Sequence, residues 1–274
     1  MQIGIIGTGQ MGGMLARAFA ETAPENVYVY NRSRAKAEAV AAGLTNIVVC
    51  DDWQTLIERV DAVFLCTKGK DGLELVRTLG TKLRREQLLV TTISNIDLDR
   101  WRELTPATPV KLIPSLTQTV HRGIILLSYP RDVDGASKSA LENRLGTIGS
   151  PLIIDEGQVR VCSDLSSCGP AFLVTVCQAW AKAAAQTGAL ERSTAEMILK
   201  EMIVGLAALL DAGISFDNIV SRIRVKGGVT DRGILAMENL PLHLFSRLHA
   251  ETARYAQTGH RVPIPDPLPM YDES

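Results

Sequence analysis

Residues 2–12 read Gln2-Ile-Gly-Ile-Ile-Gly7-Thr-Gly9-Gln-Met-Gly12, and a helical pattern over residues 14–23 follows. Residues 2–6 form the short apolar run of a buried strand, so the three glycines fall in the turn between a strand and a helix. Each glycine has its own physical task in such a turn: a tight bend, close approach of backbone to a pyrophosphate, and close helix–strand packing. The helix start adds free N–H groups and the positive end of a dipole. Gly7, Thr8, Gly9, Gln10, Met11 and Gly12 are therefore candidate cofactor-binding residues. The plainer reading, a glycine-rich turn with no ligand, is disfavoured by the position directly after the first strand.

Working outward, further strands are expected at residues 26–30, 47–49, 62–66, 88–92 and 110–113, with helices between the earlier ones. That alternation marks β-α-β units and a parallel sheet covered on both faces. Residues 123–128 and 152–155 extend it around a helix at 135–148. The fold class is α/β, a Rossmann-type dinucleotide-binding domain over residues 1–158.

The second strand ends Tyr30-Asn31-Arg32-Ser33-Arg34. An Asp or Glu at this place accepts from the ribose hydroxyls of NAD. Asn31, beside a serine and two arginines, suits a 2′-phosphate instead and favours NADP(H) over NAD(H). The competing reading makes Ser33 a helix cap and leaves Arg32 and Arg34 solvated.

After residue 160 the character changes to all-helical. Gly169–Gln186 is a long apolar helix. Ser193-Thr-Ala-Glu196 has the form of a capping box. The run from Met202 to Leu210 is uncharged on every face, which calls for burial beyond what one small domain supplies and predicts self-association. Ser215 can cap a third helix, and a fourth is expected from about 230 to 256. Before it lies Val225-Lys-Gly227-Gly228-Val-Thr230, whose backbone N–H groups suit an anion such as a carboxylate. A flexible linker followed by a Thr cap would look the same. The division gives a helical dimerisation and substrate domain at 159–260 and a Pro-rich tail at 261–274.

Composition narrows the function classes. Basic residues number 29 and acidic residues 30, evenly spread between the two halves, which argues against a nucleic-acid partner. The longest charge-free stretch, 165–181, contains Gly169-Pro170 and polar residues, so no membrane span is expected. The five cysteines show no C-x-x-C pair, and the four histidines no ligand spacing, so no metal is expected. Free cysteines and the absence of a basic leader point to a cytoplasmic protein.

Several stretches together resemble the pyrroline-5-carboxylate reductase family. They are residues 3–14, Val63-Phe-Leu-Cys-Thr67-Lys68, Leu112-Ile-Pro-Ser115, residues 163–172, and Lys226-Gly-Gly-Val-Thr-Asp-Arg-Gly233. The resemblance implies hydride transfer from NADPH to a cyclic imine, giving L-proline, and an intertwined homodimer through the helical domain, with higher assembly open. It implies that Thr67, Lys68 and Ser115 line the cofactor cleft. It also implies that Gly227 and Gly228 hold the carboxylate of an imino-acid substrate and that Thr230 is catalytic, near the ring nitrogen. Five places depart from the family pattern: Val225-Lys226 stands for Ser-Pro, Gly69 after Lys68 for Pro, Ser94-Asn95 for Ala-Gly, Ser115 for Asn, and Ser167-Cys168 for Gly-Ser. Residues 167–172 and 225–230 are closer to the late-competence ComER branch. Two functions therefore stand: an NADP-dependent oxidoreductase, and a competence-associated regulatory relative that binds nucleotide with little or no turnover.

Overall fold

The chain was described from a computed structural model, over residues 1–258; the expected tail at 261–274 lies outside the described residues. Short apolar runs set the frame: β1 (Ile3–Ile6), β2 (Val27–Tyr30), β3 (Ile47–Val49), β4 (Ala62–Leu65), β5 (Leu88–Thr91), β6 (Thr108–Ile113), β7 (Ile124–Ser128) and β8 (Ser150–Ile153). They form one sheet in the order β3-β2-β1-β4-β5-β6-β7-β8. All neighbours are parallel except β6 and β7. Every residue of β1, β4 and β5 is buried, as a central parallel strand covered on both faces requires.

The covering helices are α1 (Gln10–Thr22), α2 (Arg34–Ala41), α3 (Trp53–Glu58), α4 (Gly69–Leu79), α5 (Leu98–Arg102), α6 (Gly135–Leu145) and α7 (Val159–Ser166). On one face Leu15 and Phe19 of α1 pack on the sheet, with Phe19 meeting Phe64 edge-on at 5.6 Å between ring centroids. On the other, Leu56, Val63, Leu89 and Trp101 form a second core. Asp52 starts α3 by accepting the Thr55 N–H at 2.6 Å. The chain lays β2 and β3 on one side of β1 and then crosses to place β4 on the other. Neighbouring loops part at such a reversal and leave a crevice at the C-terminal ends of β1 and β4.

The first compact unit is Met1–Cys168 and includes α7, which packs on β7. The second begins at Gly169 and contains α8 (Gly169–Gln186), α9 (Arg192–Asp211), α10 (Phe216–Ile223), α11 (Val229–Ala236) and α12 (Leu240–Thr258). The capping box expected at Ser193 does not form. Helix α9 starts earlier, with Glu191 at its N-cap, and Glu196 pairs with Arg192 at 2.8 Å. Ser215 does cap α10, accepting the Asn218 N–H. The single helix expected over 230–256 is two, parted at Asn239 with φ +64°. Pro241 lacks the N–H that a continuous helix would need there. Among the described residues of this unit only Ala181 and Ala195 are buried apolar side chains, while Trp180, Met202, Phe216 and Phe245 stand exposed. Such a surface calls for a covering partner.

An ion pair ties β6 to the segment after β8 inside the first unit. Lys111, on β6, has a side chain only 2% exposed, with Nζ 2.6 Å from Glu156 Oε1. The same Nζ donates to the Ser94 carbonyl at 3.2 Å, and Glu156 accepts the Leu98 N–H at 3.1 Å. Removing one partner of a buried pair strands the other charge, whereas removing both does not. Lys111→Met is expected to lower stability by about 3 kcal/mol, and Lys111→Met/Glu156→Leu to recover most of the loss, in urea unfolding.

Candidate cofactor and substrate sites

The turn after β1 is built by steric exclusion. Gly7 has φ +97°, open to glycine at little cost. A Cβ on Gly12 would lie 1.9 Å from the Gly7 carbonyl oxygen and 2.9 Å from Cys66 Cβ. A Cβ on Gly9 would meet nothing within 4 Å, because it faces open space. Gly9 is the N-cap of α1, and no side chain caps that helix, so its first N–H groups are free for a ligand. Thr8 Oγ1 and Thr67 Oγ1, at the ends of β1 and β4, are buried without a protein hydrogen-bond partner. Buried hydroxyls are ordinarily bonded, and a polar ligand at the crevice would supply what these lack. Burial pushes the neighbouring Cys66 thiol up to about 12, so it stays protonated and acts as a small apolar filler.

A cavity of about 570 Å³ opens at this crevice, lined by Ile6, Gly7, Thr67 and Lys68 on the β1–β4 side. Arg32, Lys36 and Lys68 bring positive charge to it, Asp71 one negative charge and Ser33 a hydroxyl, with Trp53 and Leu75 as apolar walls. Asn31 ties the two loops together: its Oδ1 accepts the Thr8 N–H at 3.1 Å and its Nδ2 donates to the Ser33 carbonyl at 3.0 Å. A carboxylate at position 31 could make only the first bond. Ser33 occupies the N-cap of α2, yet its side chain makes no capping bond, and its residue faces the cavity. Ser33 is thus the N-cap by position, with a hydroxyl not used for capping.

Arg34 stands elsewhere. Its guanidinium pairs with Glu38 at 2.7 Å and with Asp51, and it is not part of the cavity wall. Lys36, unremarked in the sequence reading, lines the cavity instead. A sequence cue existed: Arg34 and Glu38 are four apart on one helix face and attract each other. Ser115 is buried, with Oγ donating to the Ser166 carbonyl at 3.1 Å, and it too is absent from the wall. Gln10 and Met11 are exposed in the first turn of α1.

In the second unit, Gly227 has φ +78° and Gly228 is the N-cap of α11. Thr230 is the second residue of that helix, so it does not serve as its cap. The loop's own bonds are local. The Gly228 N–H donates to Val225 O at 2.8 Å, and the Gly227 N–H to Asp231 Oδ2 at 2.8 Å. Among the described residues no cluster of His, Cys, Asp and Glu could hold a metal, and no helix is long and apolar enough to cross a membrane. All five cysteines are free.

A glycine turn at a sheet reversal, two orphaned hydroxyls and a cationic wall define a dinucleotide-dependent oxidoreductase fold, followed by a helical unit. Residues 2–95 match the family described as NADP oxidoreductase, coenzyme F420-dependent, and residues 156–258 match pyrroline-5-carboxylate reductase dimerisation. ComE operon protein 4 of Bacillus subtilis is 30% identical over 92% of this chain and 94% of its own. The pyrroline-5-carboxylate reductase of Staphylococcus epidermidis is 24% identical over 77% and 79%. Among solved structures, the Coxiella burnetii pyrroline-5-carboxylate reductase superposes with TM-score 0.83 at 22% identity, covering 93% of this chain and 97% of that one. The Plasmodium falciparum reductase, solved with NADP bound, gives 0.76 at 18% over 93% and 95%. The chain belongs to the pyrroline-5-carboxylate reductase family, with ComE operon protein 4 among its relatives.

Proposed function

We propose that the protein is a cytoplasmic homodimer that reduces the C=N bond of a cyclic imine of the pyrroline class, with NADPH preferred over NADH. The carrying observation is the cavity at the β1–β4 reversal, whose wall combines the Gly7 turn with Arg32, Ser33 and Lys36. Arg32, Lys36 and the Ser33 hydroxyl suit a 2′-phosphate, Asn31 brings no charge beside them, and the wall's cations outnumber its one acid, Asp71. Gly7, Thr8, Gly9, Gln10, Met11 and Gly12 offer the backbone and dipole for the pyrophosphate, with Thr67 and Lys68 beside them. NADPH, when bound, supplies the hydride.

This chain's residues bind and orient the reactants. An imine carbon is most electrophilic when its nitrogen is protonated, and the Thr230 hydroxyl would hydrogen-bond at that nitrogen and hold its proton in place. Fixing the ring's orientation removes much of the entropic barrier to transfer. The apolar side chains left exposed on the helical unit supply the dimer surface, with Trp180 and Met202 among them.

A second reading, nucleotide binding with little or no turnover, is favoured by the loop before α11, where Val225-Lys226 stands and both glycine N–H groups are already bonded.

Three outcomes test these assignments. Arg32→Gln and Lys36→Gln should each weaken NADPH binding about tenfold in calorimetry, the scale of one charged hydrogen bond, and leave NADH nearly unchanged. Equal losses for both nucleotides would remove the 2′-phosphate assignment. Purified protein given pyrroline-5-carboxylate should oxidise NADPH weakly to moderately, with Thr230→Ala cutting turnover by about 100-fold; NADPH binding without turnover of any imine would favour the second reading. Light scattering should return a dimer mass, and a monomer would sink the association.

A further inference from the structure

The loop before α11 already contains a carboxylate. Asp231 is the third residue of α11, and its side chain folds back over the glycine turn. Oδ2 accepts the Gly227 N–H at 2.8 Å, and Oδ1 accepts from Arg224 Nε at 2.5 Å. The other glycine donor, Gly228 N–H, is closed onto Val225 O within the turn. The Asp231 side chain is only 10% exposed. Its bonds to Gly227 and Arg224 hold the carboxyl below its ordinary range, so it is ionised at neutral pH.

Three consequences follow for a substrate at this loop. A substrate carboxylate would find one glycine N–H holding an internal carboxylate and the other sealed in the turn. The nearest guanidinium, Arg224, is committed to the same internal anion. The charge of Asp231, in the first turn of α11, also offsets the positive dipole end that would otherwise attract an anion. A cyclic imine with no carboxylate needs none of these donors, and the Arg224–Asp231 pair, neutral overall, does not repel its protonated form.

We propose that Asp231 is a specificity-determining residue that turns this subsite from carboxylated imines to cyclic iminium ions lacking a carboxylate. The proposal rests on the reductase reading for the reaction itself. Hydride joins the iminium carbon, the C=N π pair becomes the nitrogen lone pair, the nitrogen keeps its proton, and a secondary amine leaves.

The test uses two ring pairs that differ only in the carboxylate. Calorimetry on the full-length protein saturated with NADP⁺ compares pyrrolidine with L-proline. Wild type should bind pyrrolidine at least about tenfold more tightly, and Asp231→Asn should narrow that gap about tenfold. NADPH oxidation with 1-pyrroline and with pyrroline-5-carboxylate should follow the same order. Tighter binding of L-proline by the wild type, binding of neither ligand, or a gap unmoved in Asp231→Asn would overturn the proposal. The wild-type comparison decides even if the variant fails to fold, which its melting curve would show. NADPH binding with neither imine turned over would sink the reductase reading, while the order of the two amines still decides the role of Asp231.

Discussion

The packing of Gly12 against the Gly7 carbonyl governs the first half of the molecule. A Cβ at Gly12 would stand 1.9 Å from that oxygen, so no other residue brings α1 this close to the turn. Because the helix is so close, its uncapped N-terminus opens at the end of β1 rather than beyond it. The crossing from β3 to β4 then places Thr67 and Lys68 opposite the same turn. The crevice is a product of strand order and of one missing methyl group; Asn31 locks its second rim to the first by accepting the Thr8 N–H, and braces its own loop by donating to the Ser33 carbonyl.

The fold was legible because the period of each segment matched its environment. Buried four-residue runs such as Ile3–Ile6 and Ala62–Leu65 lie in a sheet covered on both faces, so no alternation was needed to recognise them. Glycines at 7, 9 and 12 announced the turn, and steric need is met at Gly7 and Gly12, while Gly9 faces open space. Local competition was harder to read. Arg34 reads from sequence as a phosphate ligand, and in the structure its exposed guanidinium pairs with Glu38 one turn on and Asp51 across the loop. Ser193 and Glu196 had the spacing of a capping box, but Arg192 takes Glu196 first. Lys111 and Glu156 are 45 positions apart, and no local pattern announces such a pair. Asp231 was visible in the sequence only as an acid early in a helix, and its reach back to Gly227 depends on a turn of positive φ.

The two halves solve burial differently. The first encloses its own core on both faces of a sheet, and the Thr8 and Thr67 hydroxyls at the crevice are among its buried polar groups without a partner. The second consists of helices whose large apolar side chains the chain itself leaves uncovered. If the proposed dimer covers them, stability of the second half is linked to association and depends on protein concentration. The loop before α11 is held within a single chain, by the bonds of Asp231 to Arg224 and Gly227.

Helix α7 also determines where the chain can be divided. Val159 closes a small cluster with Ile113 and Leu126, and Cys162 packs against it. Ser115 reaches across to the Ser166 carbonyl. A fragment ending where the last strand gives out would strip this cover from β6 and β7 and leave the Ser115 hydroxyl without its acceptor. Any excised nucleotide-binding half has to carry α7 with it, so an exchange of helical halves between relatives has its natural seam at Gly169-Pro170.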